Sequence, residues 1–148
     1  MLSAAGISPP QDGDEWRILG HTYWLRSWSE SCFVFETCDP PGSGIPAHVH
    51  PDQDELVYVV EGDVEFELDG IRHRAVAGDL ARLSRGIPHG YFNVGEAAAR
   101  MIFVVTPAGH LKELFDALHD LQDLDVVYAR SRAHGVEFLP AAQSTTSA

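Results

Sequence analysis

His48 and His50 stand two residues apart in Gly42-Ser-Gly-Ile-Pro-Ala-His48-Val-His50-Pro. In an extended segment side chains alternate with a period of 2, so both imidazoles leave the backbone on one face. Glu55 follows after Pro51-Asp52-Gln53-Asp54, a turn-forming group, and directly precedes the β-branched and aromatic run Leu56-Val57-Tyr58-Val59-Val60. Two imidazoles and a carboxylate converging from neighbouring strands make a metal site with open coordination positions. That donor set suits one divalent transition metal, Fe(II), Mn, Ni or Zn. A fourth candidate donor is His89, in Gly86-Ile-Pro-His89-Gly-Tyr91-Phe-Asn93. A carboxylate beside a divalent ion is held ionised, and Glu55 swung off the ion could act as a general base. The other histidines, His21, His73, His110, His119 and His134, have no partner at ligand spacing and read as ordinary hydrogen-bonding residues.

These donors need strands to carry them. Trp16 to Trp28 is aromatic-rich and suggests two strands hinged near Gly20; Ser31 to Thr37 is another, with Phe33 and Phe35 on one face. Asp63-Val-Glu-Phe-Glu-Leu68 alternates acidic and apolar residues, and Asp69-Gly70 is a strong two-residue hairpin signal before Ile71–Val76 returns. Leu80–Leu83, His89–Val94 and Ala99–Thr106 supply three more strands. Many short strands between Gly and Pro turns imply an all-β sandwich or barrel. Beyond Pro107 the period changes: Leu111, Leu114, Phe115, Leu118 and Leu121 predict one amphipathic helix over about 109–122, packed across an outer face of the barrel. Residues 1–14 read as a flexible arm, 15–140 as the domain and 141–148 as a disordered Ser/Thr/Ala-rich tail. Phe33, Phe35, Val57, Val59 and Phe66 alternate so as to form an apolar wall, and Tyr91 shares the face of His89; together they are the expected substrate pocket.

The spacing of the two histidine-bearing stretches resembles the cupin family. Gly42, His48, His50, Glu55 and Gly62 fill every place of its first motif. Gly78, Gly86, His89 and Asn93 fit the second, with Ser84 where the family has Pro, a change in a turn and not in a ligand. The flanking strands also look like the small bacterial cupins compared with quercetin dioxygenase. The resemblance implies a jelly-roll barrel with His48, His50, Glu55 and His89 holding the metal in its mouth, and Glu55 as the proton acceptor. It implies a metal-dependent dioxygenase acting on a hydroxylated aromatic or enol-type molecule. Alternatives are a cupin-type aromatic polyketide cyclase or isomerase, with the metal as Lewis acid or structural centre, and a non-catalytic small-molecule-binding cupin. A homodimer is the expected assembly.

The chain has 148 residues, 45% hydrophobic and 22% charged, which suits one globular domain. A formal net charge of −12 with no basic cluster argues against nucleic acid as a partner. No apolar run approaches the roughly 18 residues of a membrane span. Residues 1–14 lack a basic start and an apolar core of signal-peptide length, so a cytoplasmic location is expected. Cys32 and Cys38 fall on one strand, about 20 Å apart at roughly 3.3 Å per residue, too far for a disulfide.

Overall fold

Alternating apolar residues build an antiparallel unit from β1 (Glu15–Ile18), β2 (His21–Ser29) and β3 (Cys32–Asp39), with Trp16, Ile18, Tyr23, Leu25, Phe33 and Phe35 turned inward. The computed structural model describes residues 1–140. Leu19 and Gly20 both take positive φ, 50° and 86°, the tight hairpin turn that the right-handed twist of paired strands favours. Asp69 and Gly70 repeat it, at 50° and 82°, between β6 (Asp63–Leu68) and β7 (Ile71–Val76).

The remaining strands are β4 (Gly44–Val49), β5 (Asp54–Glu61), β8 (Leu80–Leu83), β9 (His89–Asn93), β10 (Ala99–Thr106) and the short β11 (Glu137–Phe138). They form two antiparallel sheets, ordered β1-β2-β3-β10-β5-β8 and β11-β4-β9-β6-β7. From β3 to β10 every connection except β6–β7 crosses between sheets. This is the jelly roll the sequence implied, with one apolar core between the two inner faces. On the outer face of β3, Glu36 is buried between the Arg26 and Arg100 guanidinium groups, at 2.6 and 3.3 Å, and accepts the Gln11 N–H at 3.0 Å.

The ends of the chain depart from expectation. Residues 1–14 lie beside β2, Leu2 N–H donating to the Arg26 carbonyl at 2.9 Å and Trp28 N–H to the Leu2 carbonyl at 3.1 Å. Among the described residues there are two C-terminal helices and not one: α1 (Leu111–Leu118) and α2 (Leu124–Ala133). The helical path breaks where His119 turns extended, ψ 126°, and Asp120 takes φ 61°. Asp123 then caps α2 by accepting the Asp125 and Val126 N–H groups. Periodicity did not reveal α2 because it buries only Val127 and Ser131. Nor does α1 lie on an outer face. It closes one end of the sandwich, Phe115 packing on the rings of Trp16, Tyr23, Phe33 and Phe35, with centroids 5.2–5.6 Å apart. The tail expected over 141–148 lies outside the described residues.

Candidate metal centre

His48, His50, Glu55 and His89 converge between the sheets. His48 and His89 are register partners on β4 and β9, while Glu55 enters from β5 in the opposite sheet. The close approach of β4 and β9 depends on Gly90, where a Cβ would stand 2.6 Å from the Ile45 carbonyl oxygen. The loop carrying the second motif is tied to the first: Gly86 N–H donates to the His50 carbonyl at 2.9 Å, and Arg85 clasps Asp54 at 3.0 Å. Ser84 stands at this turn without disturbing it, its carbonyl accepting the Ile87 N–H at 3.1 Å.

All four side chains are buried, and one donor atom from each lies within 4.8 Å of the others. Donors at about 2.1 Å from one ion are at most about 4.2 Å apart, so adjustments of under about an ångström close the set. Each imidazole is anchored through Nδ1: His48 to the Pro46 carbonyl at 2.8 Å, His89 to the Ile87 carbonyl at 3.2 Å, and His50 to Gln53 Oε1 at 2.9 Å. That contact assigns the proton to Nδ1 and leaves the Nε2 lone pair for the site. Gln53 is held in turn, its amide donating to the Pro107 and Ala108 carbonyls at 3.0 and 2.8 Å. The sequence placed Gln53 only in the turn before Glu55; its place behind His50 is a role that no spacing rule would find.

The fit to a metal is tested by His89. Among the described residues its buried Nε2 has no hydrogen-bond partner, yet it stands 2.8 Å from Glu55 Oε2. Two lone-pair atoms facing each other in a buried site repel unless a positive charge stands between them, a shared proton in the metal-free site or a divalent ion that satisfies them together. Burial, then the neighbouring His89 and His50, push the His48 pKa well below the usual imidazole value, keeping it neutral and able to ligate. Burial alone would raise the Glu55 carboxyl, but His50 and His89 outweigh it and the pKa falls to about 2. The centre could therefore hold a metal ion through three imidazoles and one carboxylate.

The four donors border a narrow cavity of about 60 Å³, otherwise lined by apolar side chains, by Tyr23 and Tyr91, and by Ser131. Of the expected wall, Phe35 and Tyr91 border this cavity; Phe33, Val57, Val59 and Phe66 do not, and pack in the core instead. Side-chain alternation assigns a residue to the inner face but not to a depth along the strand, so it does not say which inner residues reach this cavity. Leu111, Leu114, Phe115 and Leu118 of α1, with Phe138, supply wall that the sequence did not assign to the site.

Residues 35–105 match the Cupin_2 family, described as a cupin domain. Polyketide synthase CurC of Streptomyces cyaneus is 40% identical over 67 residues, 45% of this chain and 44% of that protein. Quercetin 2,3-dioxygenase of Bacillus subtilis (strain 168) is 42% identical over 50 residues, 34% of this chain and 15% of that protein. The chain thus spans less than half the length of either curated relative. Among solved structures, KdgF from Halomonas sp. superposes with a TM-score of 0.65 at 21% identity, covering 70% of this chain and 94% of that one, a likeness of fold. The two-motif spacing, the jelly-roll sheets and the family match agree, and residues 35–105 form a cupin domain.

Proposed function

We propose that this chain is a metal-dependent enzyme, a dioxygenase acting on a hydroxylated aromatic or enol-type small molecule. His48, His50, Glu55 and His89 are the ligands of one divalent transition metal in this reading. The observation that carries it is the four buried donors, each imidazole fixed through Nδ1, facing an apolar cavity. A bound ion supplies a Lewis acid for substrate oxygens and, where redox-active, a means of engaging O2. The protein's own part is to orient and to exclude water. Phe35 and the α1 side chains exclude solvent from the site, and the Phe138 ring lies tilted against His48 with centroids 5.1 Å apart. Glu55 is ionised; beside His50 and His89 its basicity is suppressed, so it takes a substrate proton only by drawing away from them. A cavity of about 60 Å³ admits a few atoms, so a ring-sized substrate displaces the side chains of α1 as it enters.

Metal analysis of the purified protein, followed by O2 uptake with flavonols and simpler enediols, tests this reading. Bound transition metal and substrate-dependent O2 consumption are expected; no uptake with any metal refutes the dioxygenase. A second reading, an aromatic polyketide cyclase with the metal as Lewis acid, is favoured by the match to CurC. Cyclisation needs no O2, so undiminished anaerobic turnover selects it.

A further inference from the structure

The wall of the metal-facing cavity has spent its hydrogen-bond donors. Apart from the four candidate ligands, its polar side chains are Tyr23, Tyr91 and Ser131. Tyr91 O–H donates to Asp39 Oδ1 at 3.4 Å, which leaves the Tyr91 oxygen to accept the Tyr23 proton at 2.5 Å. Asp39 is fixed in turn at the end of β3: it accepts from His21 Nδ1 and from the Thr37 hydroxyl, each at 2.6 Å, and the Asn93 amide holds its carbonyl at 2.8 Å. Burial, then the Asp39 carboxylate, raises both phenols well above their usual pKa, so their protons stay in this chain. Ser131 donates to the Val127 carbonyl at 2.7 Å. The three imidazoles direct their Nδ1 protons to Pro46, Gln53 and Ile87, so they present lone pairs to the site. Among the described residues no lysine or arginine lines the cavity, and residues 141–148 contain neither. Every other lining side chain is apolar.

We propose that the site takes a neutral substrate whose oxygens lie at its metal-facing end and whose remainder is hydrocarbon, and that it rejects molecules with a carboxylate, phosphate or isolated carbonyl on the remote part. The inference rests on the metal-centre reading above and narrows its substrate class. A carbonyl or anionic oxygen only accepts hydrogen bonds, so against this wall it gives up water donors and gains none. An anion also meets no cation there, while Asp39 behind the tyrosines and Glu55 in the site are both carboxylates. Hydroxyl groups fare better, since the Tyr23 and Ser131 oxygens keep lone pairs that can accept. An apolar substituent is favoured by the area it withdraws from water.

The test uses the full chain loaded with Co(II), kept anaerobic, and the probes 4-ethylcatechol, 3,4-dihydroxybenzaldehyde and 3,4-dihydroxybenzoate. They share the vicinal hydroxyls and differ in a remote group of similar size. Cobalt visible bands give the affinities. Carbonyl and carboxylate substituents acidify the hydroxyls, so metal binding alone ranks them ahead of the ethyl compound. The reverse order is expected, the aldehyde about tenfold and the benzoate about 100-fold weaker than 4-ethylcatechol. This comparison needs no variant to fold. Tyr91→Phe removes the acceptor of the Tyr23 proton and frees it for a ligand, so the aldehyde should recover to within about threefold of 4-ethylcatechol. An aldehyde or benzoate that wild-type protein binds as tightly as 4-ethylcatechol overturns the inference and leaves the metal centre standing. An unchanged aldehyde-to-ethyl ratio in Tyr91→Phe overturns it too, because spent protons would then not set the selectivity. Cobalt bands that respond to none of the three overturn the metal-centre reading and the inference with it.

Discussion

Gln53 separates the metal-orienting framework from plain stability. Its three hydrogen bonds, to His50 Nδ1 at 2.9 Å and to the Pro107 and Ala108 carbonyls at 3.0 and 2.8 Å, join the first metal-binding stretch to the turn before α1. Gln53→Leu strips all three from a residue only 8% exposed. At about 1 kcal/mol net per bond the loss is about 3 kcal/mol, or roughly 6–12 °C in melting temperature for a chain of this size. The protein should still fold, since domain stabilities run to about 5–15 kcal/mol. Freed from its acceptor, the His50 ring loses its orientation, and a lost outer hydrogen bond of this kind weakens metal binding about 10–100-fold. Gln53→Glu keeps an acceptor for His50 and loses only the two donors. It should melt lower yet hold Zn(II) within about threefold of wild type. Competition against a chromophoric chelator measures affinity, and thermal unfolding of the metal-free proteins measures stability. Wild-type affinity in Gln53→Leu, or equal loss of affinity in both variants in step with their melting temperatures, would refute the orienting role.

Stripping the metal should lower the melting temperature, since an ion at about 100 times its dissociation constant contributes about 2.7 kcal/mol; a chelator titration with His48→Ala as control should show no shift in the variant. Gly90→Ala places a Cβ 2.6 Å from the Ile45 carbonyl oxygen, between the strands carrying His48 and His89. It should cost about 1–3 kcal/mol in urea unfolding and weaken metal binding as well. Burial raises the Glu36 carboxyl, but the Gln11 N–H and the two guanidinium groups outweigh it, so its folded pKa lies below the ordinary value. Its contribution is therefore complete above the unfolded pKa of about 4.3 and lost as pH falls through the folded value. The melting-temperature penalty of Glu36→Gln should be largest near neutrality and shrink in acid; a penalty that grows in acid would reverse the sign.

Three of the four donors, His48, His50 and Glu55, were legible because their relation is local, while His89 entered through the second motif of the resembled family. A two-residue spacing on a strand dictates that His48 and His50 share a face, and a turn of fixed length returns Glu55 on the next strand. The Asp69-Gly70 hairpin and the alternation in β2, β3 and β6 are equally short-range consequences of side-chain period and turn chemistry. What surrounds the centre was not legible in this way. Phe33 and Phe35 share a face two residues apart, yet only Phe35 reaches the cavity, because depth is set by the twist of two sheets and by where α1 ends. Placement of α1 across the open end was decided by the ring cluster on β1–β3 awaiting Phe115, 80 to 99 residues away in sequence, which an apolar stripe cannot announce. The contact between Tyr23 and Tyr91, and the bracing of His50 by Gln53 and the turn after β10, likewise join distant segments. Sequence alone picked out His48, His50 and Glu55 as residues that could bind an ion, since period and turn length act between neighbours; only the tertiary structure decided that His89 joins them and what all four face, since that depends on how separate strands close around one volume.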